Sequence, residues 1–108
     1  MARNIIDLPT LGDDGKLYRD TAVDMVESLI PNPWESCHAP DLLELENGDL
    51  LCCWFAGSRE GNADISIAVA RLPADAEQWE QPVIVSDDPT RSEQNPSLFQ
   101  NPNGDIWL

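Results

Sequence analysis

The sequence predicts an all-β protein built from a repeated hairpin, one blade of a β-propeller followed by the start of the next. Three observations carry this. The stretch from Pro40 to Cys52 returns without a gap as Pro96 to Leu108, with Pro, Leu, Asn-Gly-Asp and the apolar residue after it in register. Each copy is an apolar run, an Asn-Gly pair and a second apolar run, the pattern of a β-hairpin. The residues between the copies hold two more short apolar segments, so one period contains four strands. Four antiparallel strands recurring about every 50 residues are the sequence form of a propeller blade.

In chain order, residues 1 to about 21 read as an extended leader. Gly12-Asp13-Asp14-Gly15 marks a turn and Leu17-Tyr18 a short apolar pair. Thr21 to Ile30 fits neither helical nor strand spacing cleanly. Its β-branched content, and Pro31 and Pro33 beyond it, favour a strand. Pro31-Asn32-Pro33-Trp34 is irregular. Residues 1–30 therefore form a leader with a first strand, and 31–108 the propeller portion.

The blade strands are expected at 41–46, 49–56, 64–71 and 82–85. Asn47-Gly48 closes the first hairpin, with both residues at positive φ in a type I′ turn. The second strand, Leu50-Leu51-Cys52-Cys53-Trp54-Phe55-Ala56, is apolar on both faces, which means burial on both sides. In the third, Ile65, Ile67 and Val69 share one face, and small residues line the other, where a second sheet can approach. Pro82 ahead of Val83-Ile84-Val85 places the fourth at an edge. Ser86 to Glu93 is a polar loop. Trp54 and Trp107 belong to buried strands, and Trp79 packs the blade. The sequence stops at Ile106-Trp107-Leu108, inside an apolar strand whose earlier counterpart runs on to Phe55. This suggests the N-terminal part of a longer protein or a truncated product, incomplete as a propeller, with an open strand edge that invites self-association.

A chain of 108 residues is one small domain at most. Its net charge of −14 repels polyanions, which argues against nucleic acid and anionic membrane surfaces as partners. A small anionic ligand held by one or two arginines stays compatible. Cys37, Cys52 and Cys53 show neither a disulfide framework nor a metal spacing and are expected as buried, reduced thiols. No EF-hand-like spacing occurs, so no metal or cofactor is expected. Without a signal-like N-terminus or an apolar run of about 18 residues, a soluble cytoplasmic protein is expected.

The order of motifs over residues 31–108 resembles the sialidase-like superfamily of BNR-repeat propellers. The carrying segments are Ser36-Cys37-His38-Ala39-Pro40, Asn47-Gly48-Asp49-Leu50-Leu51 and Trp54-Phe55-Ala56-Gly57-Ser58-Arg59-Glu60-Gly61 with Asp64-Ile65. Trp79-x-x-Pro82 and Gln94-Asn95-Pro96-Ser97-Leu98-Phe99 complete them. The resemblance implies a six- or seven-bladed propeller acting on glycans, with an acidic sugar at a central funnel. A glycoside hydrolase is the leading reading. A uronate-type polysaccharide lyase and a non-catalytic carbohydrate-binding propeller remain open. Two family motifs are absent, a Phe/Tyr-Arg-Ile-Pro sequence and the Asp box Ser-x-Asp-x-Gly-x-x-Trp. The family's tyrosine nucleophile comes from a late blade, so a complete active site is not expected within these residues.

His38, the sole histidine, precedes the first arm, and Gln94 holds the same place one repeat later with Asn95 after it. These three are expected to line the funnel, His38 as a general acid or base, Gln94 and Asn95 as substrate-binding groups. Arg59 offers a planar fork for a sugar carboxylate. Glu60 and Asp64 are candidate catalytic carboxylates, because glycoside hydrolysis uses two across the scissile bond. Arg91 and Glu93 are weaker candidates, and Trp34 could stack on a sugar face.

Overall fold

A computed structural model describes residues 5–7, 12–86 and 88–108. Those residues form nine strands and no helix. β1 (Ile6–Asp7), β2 (Tyr18–Asp20) and β3 (Met25–Glu27) make a small mixed sheet, β1 parallel and β3 antiparallel to β2. β4 (Ser36–Glu44), β5 (Leu50–Gly57), β6 (Ser66–Leu72) and β7 (Val83–Ile84) form the main sheet in sequence order, every neighbour antiparallel. β8 (Phe99–Gln100) and β9 (Ile106–Trp107) form a separate hairpin. The four-stranded antiparallel blade and the following hairpin are thus present, with β7 at the edge that Pro82 signals.

The central strand explains the core. Leu51, Cys53 and Phe55 point to one face and pack with Leu45, Ile65, Ile67 and Leu98. Cys52, Trp54 and Ala56 point to the other and pack with Leu17, Ala68, Ala70, Leu72 and Trp79. A strand in the middle of a sheet covered on both sides must be apolar at every position, and Leu51 through Gly57 are all buried. Ala68 lies opposite Trp54 in the ladder, small against large, which leaves room for the indole. Leu17, from the N-terminal sheet, covers one face, while Leu98, from the second hairpin, covers the other.

Several expectations change. The leader is, where described, folded. Ile6 N–H donates to Leu17 O at 2.9 Å, Trp79 N–H donates to Gly15 O at 2.9 Å, and Tyr18 is buried with its hydroxyl on Asp14. The remainder of the expected leader, residues 1–4 and 8–11, lies outside the described residues. The short alternation around Leu17-Tyr18 is too brief to announce a strand, and only burial against the blade selects one.

The hairpin turns are not type I′. Gly48 N–H donates to Leu45 O and Leu45 N–H to Asp49 O, which encloses a three-residue loop. Gly48 alone has positive φ, at 90°, and Asn47 does not. This is a type I turn closed by a left-handed glycine. The second hairpin repeats it bond for bond, from Gly104 N–H to Asn101 O and from Asn101 N–H to Asp105 O, with Gly104 also at 90°. Pro102 fits the first corner of such a turn, where φ near −65° is wanted. Asp49, expected as the first residue of the second strand, precedes β5 and is buried. Its carboxylate accepts from Ala74 N–H at 2.8 Å and from Arg71 at 2.7–2.8 Å, tying the turn to the loop after β6. The Ala74 amide and the Arg71 guanidinium hold this carboxyl below its ordinary 3.8, against the opposing effect of burial.

Two burial expectations fail. Trp107 is 55% exposed, stacked on an equally exposed Phe99 at 6.2 Å. Its counterpart one repeat earlier, Leu51, is covered by Leu98, and among the described residues no equivalent cover lies on the second hairpin. Cys37 is exposed, because β4 is an edge strand and only one of its faces meets the core. Cys52 and Cys53 are buried as expected, and burial lifts the Cys52 thiol to about 11.

Candidate functional site

The topology sets one end of the main sheet apart. At that end β4 begins, β5 leaves, β6 begins and β7 leaves, so residues 34–38, 57–66, 86 and 88–95 gather there. Val85 N–H and Glu93 N–H, donating to Ile67 O and Ile65 O, hold the last of these segments along β6. The Asp49 turn lies at the opposite end. All six sequence candidates, His38, Arg59, Glu60, Asp64, Gln94 and Asn95, fall at the first end.

His38 is positioned by a bulge. In β4 the register passes from His38↔Phe55 to Asp41↔Cys53, so Ala39 and Pro40 together face Trp54. Ala39 has φ 54°, a left-handed conformation that costs an alanine on the order of 1–2 kcal/mol. The inserted residue reverses the alternation. His38 therefore joins Asp41 and Leu43 on one face and stacks on Phe55, ring centroids 5.6 Å apart and planes 17° from parallel. His38 lies inside the strand, three residues earlier than the expected start of the first arm, because the bulge lets pairing continue past Pro40. The left-handed conformation recurs one repeat on, where Asn95 before Pro96 has φ 55°. Asn95 accepts this conformation more readily than alanine. Backbone strain of this kind collects at functional sites.

Arg59 and Glu60 are exposed in the turn after β5, where Asn62 N–H donates to Arg59 O at 3.0 Å. Arg59 has no ion-pair partner among the described residues. Asp64 closes that loop, its Oδ2 accepting from Ser58 N–H at 3.1 Å. Gly57 precedes it at a point of close approach. A Cβ there would stand 2.9 Å from Ile65 Cδ1 and 3.0 Å from Asp64 O. Asp64 lies between two open clefts. One, of about 390 Å³, is lined by Trp34, Glu35, Gly57, Ser58 and Asp64. The other, of about 440 Å³, is lined by Asp64, Ser66, Ser86 and Asp88 among others. Trp34 meets Trp54 edge-on at 6.4 Å, which fixes its ring at the cleft wall.

Asp88 is already engaged. Thr90 donates to it from its hydroxyl at 2.6 Å and its N–H at 3.0 Å, and these bonds hold its carboxyl below the ordinary value. Asp88 N–H in turn donates to Glu93, and Arg91 stands 3.7 Å from Asp88. Arg91 and Glu93 thus shape the loop. Gln94 donates to Ser92 Oγ at 2.8 Å. Among the described residues no hydrogen bond or ion pair joins His38 to Gln94 or Asn95, or Arg59 to Glu60 or Asp64. Nor does any group of three His, Cys, Asp or Glu side chains stand ready for a metal ion there.

Sequence reasoning offered Trp34 as a sugar-stacking side chain but missed Glu35, which follows two prolines in irregular chain. It also missed the bulge, for which an X-Pro pair recurring at the same place in both copies was the available signal.

A family model for a BNR repeat-like domain matches residues 48–108. The chain belongs to the BNR repeat-like family. The BNR repeat-like match takes in Arg59, Glu60, Asp64, Gln94 and Asn95, whereas His38, Trp34 and Glu35 precede it. No curated protein and no solved structure matches the chain.

Proposed function

We propose that this BNR repeat-like chain recognises an acidic sugar at the loop end of its blade and serves a sialidase-like glycan-acting protein. The observation that carries the reading is Arg59, an exposed residue with no acidic partner among the described residues in a chain of net charge −14, next in the chain to Ser58, which lines the cleft with Trp34, Glu35 and Asp64. A planar fork left unpaired suits a sugar carboxylate bound by two parallel hydrogen bonds. An indole at the cleft wall suits the apolar face of a pyranose. Asp64 and Glu35 supply the two carboxylates that hydrolysis of a glycosidic bond uses. His38, stacked on Phe55, is not among the residues that line this cleft.

The test is binding of a sialic and a uronic acid glycoside by calorimetry, together with release of a chromogenic leaving group. Arg59→Ala is expected to weaken binding of the acidic sugar about tenfold or more while leaving a neutral analogue unaffected. Equal loss for both sugars, or none, sinks the reading. Non-catalytic recognition is the second reading, favoured by the exposure of His38, Glu60 and Asp64 alike. Binding without turnover would select it. An unsaturated product would instead select elimination.

A further inference from the structure

The blade and the second hairpin make one contact inside the chain, and the two free halves of that same contact remain on the surface. Within the chain, Leu98 enters the face formed by Leu51, Cys53, Phe55 and Ile67 and is buried there, with Leu43 partly buried beside it. Leu42 is the residue one repeat before Leu98, and it is 61% exposed. Phe99 and Trp107 are the residues one repeat after Leu43 and Leu51. They pair in the same register, Phe99↔Trp107 as Leu43↔Leu51, and are 55% exposed each. Among the described residues Leu42 therefore has no socket, and the Phe99–Trp107 face has no inserted leucine.

We propose that a second copy of this chain fills both, docking head to tail so that the Phe99–Trp107 face of one copy covers Leu42 of the next. The surface around Leu42 fits the role. It borders an apolar groove of about 590 Å³ between the N-terminal sheet and the blade, lined by Val26, Ile30, Pro40, Leu50 and Leu72 among others. The contact continues the interface the chain already makes with itself. It also repeats the Asp41–Ser97 relation, since Ser97 of one copy would come to Asp41 of the next. Two bonds are not reproduced. Leu98 N–H donates to the Asp41 carboxylate inside the chain, and the residue one repeat after Asp41 is Ser97, which carries no carboxylate. Glu46 N–H donates to Gln100 Oε1 inside the chain, and the residue one repeat after Glu46 is Pro102, which has no N–H. The intermolecular contact is therefore weaker than the internal one. It is heterologous, so it extends or closes into a ring rather than pairing two identical patches. With −14 per copy, association strengthens as salt is raised.

Sedimentation velocity of the full chain, from micromolar to near-millimolar concentration, tests this with Leu42→Asp and Trp107→Asp. Wild type is expected to associate with concentration, and each variant alone to lose at least about tenfold in affinity. An equimolar mixture of the two is expected to recover a one-to-one dimer, because each retains the half the other lacks. The recovered dimer also shows that both variants fold. If either aspartate variant fails to melt cooperatively, Leu42→Ser and Trp107→Ser replace them. A monomeric wild type at every concentration overturns the proposal. So does a mixture of folded variants that stays monomeric, or a Leu42→Asp chain that associates like wild type, which would mean Trp107 meets Trp107 instead.

Discussion

Asp41 and Ser97 occupy the same place in successive repeats, and they touch. The Ser97 hydroxyl donates to Asp41 Oδ2 at 3.2 Å, and the neighbouring Leu98 N–H donates to the same oxygen at 2.8 Å. The carboxylate thus fastens the second hairpin to the blade just where Leu98 enters the core. Asp41→Ala leaves the Leu98 N–H without a partner at a buried position, and the expected loss is about 1–3 kcal/mol in urea unfolding. Ser97→Ala, at an exposed residue, is expected to cost less than Asp41→Ala. Equal effects would mean that the serine bond and not the Leu98 amide dominates.

Gly57 stands where β5 passes closest to the start of β6. Gly57→Ala places a methyl 3.0 Å from the Asp64 carbonyl, which is backbone, and 2.9 Å from Ile65 Cδ1. A destabilisation of about 1–3 kcal/mol is expected. Ile65→Val removes the Cδ1 atom, so the double variant should recover part of the loss and not all. A strictly additive pair in urea unfolding would show that the Ile65 contact does not matter.

Ala39 holds a left-handed backbone that glycine and asparagine accept more easily, as Asn95 does one repeat later. Ala39→Gly is expected to stabilise the chain by about 0.5–1 kcal/mol after the added entropy of glycine is deducted from the released strain. A destabilised variant would mean that the Ala39 methyl, partly buried against the second-hairpin face, contributes more than the strain costs.

Three cysteines should divide into one and two. Cys37 is exposed and Cys52 and Cys53 are buried, with the Cys52 thiol lifted to about 11 by burial first and by the neighbouring Cys53 and Asp41 charges second. A disulfide reagent at neutral pH is expected to modify Cys37 rapidly and the other two only after unfolding. Cys37→Ser should abolish the fast phase.

Acid should weaken the fold through Asp49. Its native carboxyl titrates below the ordinary 3.8, so the folded state binds fewer protons than the unfolded state near that value. The stabilisation is fully present above about pH 4 and is lost as pH falls toward the depressed native value. Thermal melts from neutral pH down to about pH 2 should show the midpoint falling, and Asp49→Asn should flatten that fall while lowering the midpoint at neutral pH. An unchanged acid limb in Asp49→Asn would assign the loss to other carboxylates, Asp14 and Asp88 first, since both are also held below their ordinary values.

The repeat and its local consequences are legible in the order of the amino acids. The matching Asn-Gly-Asp segments announce two hairpins, the unbroken apolar run from Leu50 to Ala56 announces a strand covered on both faces, and Pro82 announces the edge. These are local signals, set by turn chemistry and by side-chain period, and they survive without any knowledge of what packs where. Packing in three dimensions settles the rest. The N-terminal residues become strands because Leu17 is buried against the blade, which no short window reveals. The face on which His38 lies is reversed by one inserted residue at Ala39-Pro40, and a period of two carries no memory of such an insertion. Trp107, apolar and in a strand, is exposed because burial depends on what covers a face, and only the packing of Leu98 on Leu51 shows what that cover is.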